Sequence, residues 1–152
     1  MVEFDGLFSF PSLSEFAAQH YLASKKINFL IVEDDPFMRT IIPKILYKVD
    51  KKAKLTWAVS VDEAKELLSK HDGTDAYDLI ICDYLLSGKK HGIDLWKHCL
   101  TQQSLHIPFM LISGLSQKAL RKHSGLNDFV KIHYLGKPFE PKQFQHLVEE
   151  LL

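Results

Sequence analysis

Tyr77-Asp78-Leu79-Ile80-Ile81-Cys82-Asp83 is the stretch on which the reading of this chain turns. Leu79 to Cys82 are apolar without interruption, a length and composition that suit a strand buried on both faces. Asp83 comes next, with Gly88 and Gly92 a few residues on and an amphipathic pattern after them. Alone, an Asp closing an apolar strand reads as a helix cap or turn residue. Two further runs weigh against that. Ile27-Asn28-Phe29-Leu30-Ile31-Val32 ends in Glu33-Asp34-Asp35, and Ile107-Pro108-Phe109-Met110-Leu111-Ile112 ends in Ser113-Gly114. In a parallel α/β sheet the carboxyl ends of the strands share one edge, where ligands bind. Three carboxylates and a hydroxyl are therefore expected to meet at one site.

Length and composition bound the rest. A chain of 152 residues is one domain's worth, and 46% apolar with 25% charged residues is ordinary for a globular protein. Nineteen basic and nineteen acidic residues cancel, which argues against a large nucleic-acid footprint while leaving room for a local basic patch. Cys82 falls in a predicted strand and Cys99 in a predicted helix, where both read as reduced core residues. No apolar run approaches the roughly 18–20 residues that span a bilayer. The N-terminus lacks a basic leader and carries Glu3 and Asp5, against a secretory signal. The expectation is a cytoplasmic protein without membrane insertion.

Residues 1–26 differ in character from the rest of the chain. Phe4, Phe8, Phe10 and Phe16 crowd into the first sixteen positions. Ser12 and Glu15 have capping-box spacing after Pro11, and Leu13, Phe16, Ala17 and Tyr21 recur at helical intervals. This predicts an aromatic-rich arm and a short amphipathic helix over about 12–24. The segment either packs on the rest of the domain or anchors a homodimer or partner contact.

From Ile27 onward strands and helices alternate. Met38, Ile41, Ile42, Ile45 and Val49 mark one face of a helix starting near Pro36, with Pro43 expected to bend or restart it. Residues 54–59 read as a second strand, and Ser60 with Glu63 opens a helix through about Lys70. After Asp83, Ile93, Trp96, Cys99 and Leu100 define the next buried helix face. The strand ending at Ser113 precedes a weaker helix, about 116–123, and Val130 to Leu135 reads as a short fifth strand. Phe144, Leu147, Val148 and Leu151 stripe the last helix. Five βα units predict a doubly wound α/β domain over residues 27–152.

Four pieces now stand in order at strand ends: Val32-Glu33-Asp34-Asp35-Pro36, Ile81-Cys82-Asp83-Tyr84-Leu85, Leu111-Ile112-Ser113-Gly114 and Lys137-Pro138-Phe139. Together they resemble the receiver domain of two-component response regulators, over about residues 27–152. The resemblance implies a flavodoxin-like, doubly wound five-stranded parallel sheet in the order 2-1-3-4-5 with helices on both faces. It also implies Mg2+ dependence and transfer of a phosphoryl group from a histidine kinase or histidine phosphotransfer protein onto one aspartate.

By that resemblance Asp83 is the phospho-acceptor. Asp34, Asp83 and the backbone carbonyl of Leu85 hold Mg2+ directly, and Glu33 acts through water. The chemistry is consistent, since a carboxylate cluster is unfavourable without a cation and Mg2+ favours one or two carboxylates, waters and phosphate oxygen. Asp35 lies outside the pair and reads as a surface or capping residue. Lys137 supplies a fixed positive charge for the phosphoryl oxygens, aimed inward by a cis bond to Pro138. Ser113 and Tyr134 take the places of the switch hydroxyl and aromatic, although a tyrosine at a strand end also packs without switching. Phosphorylation then shifts an existing equilibrium that a partner reads on the 116–152 face, where Lys118, Arg121 and Lys122 form either a solvated face or a contact for an acidic partner.

Two departures from the family pattern stand out. Asp83 to Gly92 is one residue longer than the commonest spacing, and Ser87 stands where proline is frequent. Leu85 and Leu115 are apolar where polar side chains often guide an attacking water, which predicts a long-lived phosphorylated state. The eight histidines show no metal-ligand spacing, and no Gly-rich phosphate loop or HExxH appears. Two functions fit these residues. The first is a stand-alone phospho-accepting switch, not an enzyme beyond its own phosphorylation and dephosphorylation, with no output domain expected after Leu152. The second is a non-switching interaction or dimerisation module that uses the N-terminal arm.

Overall fold

Five strands, β1 (Asn28–Val32), β2 (Lys54–Ala58), β3 (Leu79–Asp83), β4 (Phe109–Ser113) and β5 (His133–Gly136), form one sheet in the order β2-β1-β3-β4-β5. All four pairings are parallel. Helices α1 (Met38–Val49), α2 (Val61–Ser69), α3 (Gly92–Thr101), α4 (Gln117–Ser124) and α5 (Pro141–Leu151) succeed the strands in turn. The computed structural model describes Ser12 and residues 24–71, 76–102, 106–125 and 132–152. The expected arm and helix over 12–24 lie outside the described residues apart from Ser12 and Ser24, as do the first two residues of the expected fifth strand.

Alternation along the strands sorts the core into two layers. Leu30, Val32, Ile80, Cys82 and Leu111 point to one face and pack with Val61, Ala64, Leu68, Ile93, Trp96 and Leu120 of α2, α3 and α4. Phe29, Ile31, Leu79, Ile81, Met110 and Ile112 point to the other, against Met38, Ile42, Leu46, Phe144 and Val148 of α1 and α5. Every residue of β3 and β4 is buried, which is why both read in the sequence as unbroken apolar runs.

Helix α1 begins within two residues of Pro36, as expected. Asp35 Oδ1 accepts the Phe37 N–H at 2.9 Å, and the Arg39 N–H reaches the Asp35 carbonyl at 3.4 Å, so the chain at Pro36 leads straight into α1. Two other expectations need correction. Pro43 sits inside a continuous helix and neither ends nor restarts it. Its missing N–H would have met the carbonyl of Arg39, an exposed residue, while Ile42, Ile45 and Leu46 hold the helix to the sheet. Second, Leu100 is exposed and Leu95 takes its place in the core. At i+2 from Ile93, Leu95 falls outside a narrow stripe, but α3 lies deep enough to bury a wider face.

Helix ends obey side-chain chemistry. Ser60 Oγ accepts the Glu63 N–H at 3.2 Å, and Glu63 Oε2 reaches back to the Val59 N–H at 2.7 Å. Ser116 Oγ accepts the Ala119 N–H, and Gly125 closes α4 in the left-handed conformation.

Candidate functional site

The carboxyl edge of the sheet gathers Glu33 and Asp34 after β1, Asp83 at the end of β3, Ser113 at the end of β4 and Lys137 just after β5. Each occupies a strand end because parallel strands with right-handed crossovers bring all such ends to one side. One carboxylate oxygen from each of Glu33, Asp34 and Asp83 lies within 4.8 Å of the others. Lys137 Nζ donates to Asp83 Oδ2 at 2.6 Å and to Glu33 Oε2 at 3.4 Å. The Lys137–Pro138 peptide bond is cis.

Each of the three carboxylates also accepts one backbone N–H, which leaves lone pairs free on all of them. Asp83 Oδ1 accepts the Leu85 N–H at 3.2 Å, Glu33 Oε1 accepts the Asp35 N–H at 3.0 Å, and Asp34 Oδ2 accepts the Ser87 N–H at 2.8 Å. Ser113 Oγ accepts the Leu115 N–H at 3.0 Å. The Tyr134 hydroxyl donates to the carbonyl of Leu115, so the half-buried aromatic ring is tied to the loop after Ser113. Leu85 itself is 67% exposed and Leu115 37% exposed.

Electrostatics differ among the three acids. Burial, reinforced by the Asp83 charge, raises the Glu33 carboxyl above its ordinary 4.5 against the opposing Asp35 N–H and Lys137. Burial acts the same way on Asp34, but hydrogen bonds from Ser87 outweigh it and hold that carboxyl low. Burial lowers Lys137, yet its hydrogen bond and attraction to Asp83 leave it raised and firmly cationic. Burial drives the Cys82 thiol far up, so it is no competing nucleophile beside Asp83.

Glu33 sets a pH dependence. Its folded-state value is raised, so its contribution to stability is full below about 4.5 and lost as pH rises through the folded value. Metal-free Glu33→Gln should therefore gain stability relative to the parent chain as pH climbs from acid to neutral, measured by urea unfolding. A variant less stable at neutral pH would show that pairing with Lys137 outweighs the cost of burying the charge.

The donor set suits a hard divalent cation: three carboxylates, with neither imidazole nor thiolate among them. Asp35, the extra carboxylate, is exposed and serves the turn before α1. Three residues that shape the site escaped the sequence reading as contributors. Ser87 contacts Asp34 from 53 positions away. Gly92 abuts the Asp83 carbonyl, where a Cβ would sit 2.3 Å from the oxygen. Gly136 leaves room for Tyr134, whose hydroxyl lies 3.1 Å from where its Cβ would be. A glycine shortly before a helix and one shortly before Lys137 were visible, but not what each cleared.

Comparison with known proteins matches residues 29–149 to the response regulator receiver domain. The chain belongs to that family. Receivers are the signalling switches of two-component systems rather than classical enzymes, and they typically use Mg2+ at an acidic pocket. Over 119 residues this receiver is 32% identical to the transcriptional regulatory protein MalR of Bacillus subtilis, covering 78% of this chain. The chain spans only 47% of MalR's length. Among solved structures, a response regulator of Chloroflexus aurantiacus aligns with a TM-score of 0.67 at 25% identity, covering 84% of this chain and 98% of that one. The chemotaxis protein CheY4 of Vibrio cholerae gives a TM-score of 0.67 at 19% identity over 84% of this chain and 100% of its own, a likeness of fold alone. No helix among the described residues is long and apolar enough to cross a membrane.

Proposed function

We propose that this receiver is a Mg2+-dependent phospho-acceptor in a histidine-kinase phosphorelay, modified on Asp83. The observation that carries the reading is the Lys137 ammonium seated on a buried aspartate inside a three-carboxylate cluster. In the reaction, an Asp83 carboxylate oxygen attacks phosphorus. An O–P bond forms as the P–N bond to the donor imidazole breaks, and the electron pair leaves with that nitrogen. Positioning and charge do most of the work in such transfers. Lys137 faces the phosphoryl oxygens, and the Leu85 N–H orients the nucleophile. Asp34, Asp83 and the Leu85 carbonyl would hold Mg2+, with Glu33 acting through water. Bound there, the ion neutralises charge on the transferred group.

A protein donor is favoured by the surface around the pocket. Phe37, Val59, Leu85 and Leu115, each from a different strand-end loop, are large apolar residues left exposed. Following the carboxyl ends of four parallel strands, they lie on the same edge of the sheet as the acidic site and offer surface that an apolar partner can cover. Output is proposed to pass through Ser113 and Tyr134 to a protein target on the 116–152 face, in a cytoplasmic setting. The zero formal net charge supports protein rather than nucleic-acid contact.

Incubation with acetyl phosphate and Mg2+ and then intact-mass analysis tests the reading. One added phosphoryl group is expected, absent in Asp83→Asn and absent without the metal. No addition with acetyl phosphate, together with no response to beryllium fluoride, would move the reading to the non-switching interaction module. The apolar Leu85 and Leu115 also predict a slow return to the unmodified state. Leu85→Asn should accelerate loss of the phosphoryl group by up to about a hundredfold through a positioned water. An unchanged decay rate would assign the lifetime to other residues.

A further inference from the structure

The loop between β3 and α3 reaches across the site to Asp34. Its Ser87 N–H donates to Asp34 Oδ2 at 2.8 Å, and the Ser87 side chain joins that N–H in holding the Asp34 carboxyl low. Asp34 is only half-buried, so packing alone does not set the direction of its carboxylate.

The loop is built to hold that donor still. Tyr84 N donates to the Ile112 carbonyl at 2.7 Å and Gly92 N to the Tyr84 carbonyl at 2.8 Å, which closes the loop on the end of the sheet. Leu86, next to Ser87, is buried in the core between the sheet and α3. Lys90 pairs with Asp62 at the start of α2. Gly88, directly after Ser87, has φ +122°, a conformation that a side chain would strain, with open space around it. The turn exists for its direction and not for clearance.

We propose that Ser87 is a positioning residue for the metal site, a two-donor clamp that fixes the Asp34 carboxylate toward the cation. The inference rests on the reading of Asp34 as a Mg2+ ligand. A carboxylate has capacity on its two oxygens for such donors and a cation at once. Partners that orient ligands in this way commonly set metal affinity by about 10- to 100-fold. A proline at position 87 has no N–H and no hydroxyl, so the serine found here supplies both contacts.

Calorimetric titration of MgCl2 into the full chain tests this, with Asp34→Asn as the reference for lost ligation. Ser87→Ala keeps the N–H and should weaken binding several-fold. Ser87→Pro removes both donors and should weaken it by about 10- to 100-fold. Ser87→Thr keeps both and should bind like the parent chain, while metal-free melting of the alanine and threonine variants stays unchanged. If the proline variant does not fold, the alanine and threonine pair carries the test. Magnesium affinities of the alanine and threonine variants that match the parent chain, with Asp34→Asn inactive in binding, would overturn the clamp and leave the metal site standing. A parent chain that takes no Mg2+ would overturn the reading of the site, and the clamp with it.

Discussion

Gly92→Ala is expected to lower the stability of this receiver by about 3 kcal/mol, at the upper end of what overpacking a core costs. The new methyl would lie 2.3 Å from the Asp83 carbonyl oxygen and 3.0 Å from both the Asp83 carbonyl carbon and Cys82 Sγ. None of these is the free end of a flexible side chain. The oxygen belongs to the last residue of the central strand, and Cys82 Sγ is buried beneath it. Helix α3 cannot simply retreat, because Gly92 N donates to the Tyr84 carbonyl and Ile93 and Trp96 anchor its first turns in the core. For a domain of this size the loss corresponds to a melting point lower by about 6–12 °C. Gly114→Ala is the matched control, with nothing within 4 Å of the added carbon, and should change stability by less than about 0.5 kcal/mol. Equal melting curves for the two variants would mean that the β3–α3 junction yields more readily than its contacts imply.

Lys137→Met should cost the metal-free protein about 2 kcal/mol, and Mg2+ should recover most of that loss. The substitution keeps an apolar stem and deletes the charge. It leaves Glu33, 1% exposed, and Asp83, 8% exposed at its side chain, as like charges with no cation between them. Removing one partner of a fully buried pair costs roughly 3–5 kcal/mol. Lys137 is 28% exposed at its side chain, so solvent screens part of the interaction and the smaller figure applies. A divalent ion at the carboxylate cluster replaces the missing charge, and ligand at a hundred times its Kd stabilises by about 2.7 kcal/mol. Thermal melts with and without MgCl2 should therefore show a larger Mg2+ response in the variant than in the parent chain. A variant as stable as the parent without metal, and no more responsive to it, would remove Lys137 as the charge that balances the cluster.

The strands, and the edge on which chemistry collects, are legible in the linear pattern of residues. Leu79–Asp83 and Phe109–Ser113 read as unbroken apolar runs because a central parallel strand is covered on both faces, and both are fully buried. Once the strands are parallel, Glu33, Asp34, Asp83 and Ser113 must share an edge wherever loops and helices run. Contacts between distant positions are another matter, and only folding sets them. The Lys137–Asp83 contact joins residues 54 positions apart and Ser87–Asp34 joins residues 53 apart. Which lone pairs each carboxylate has left depends on backbone donors placed by loop geometry, not on residue type. The same holds for Leu95 replacing Leu100 in the core, since the depth to which α3 sinks sets the width of its buried face. The need for glycine at 92 appears only when the end of β3 and the start of α3 are brought together, because a missing side chain shows its purpose only through the atoms that fill its place.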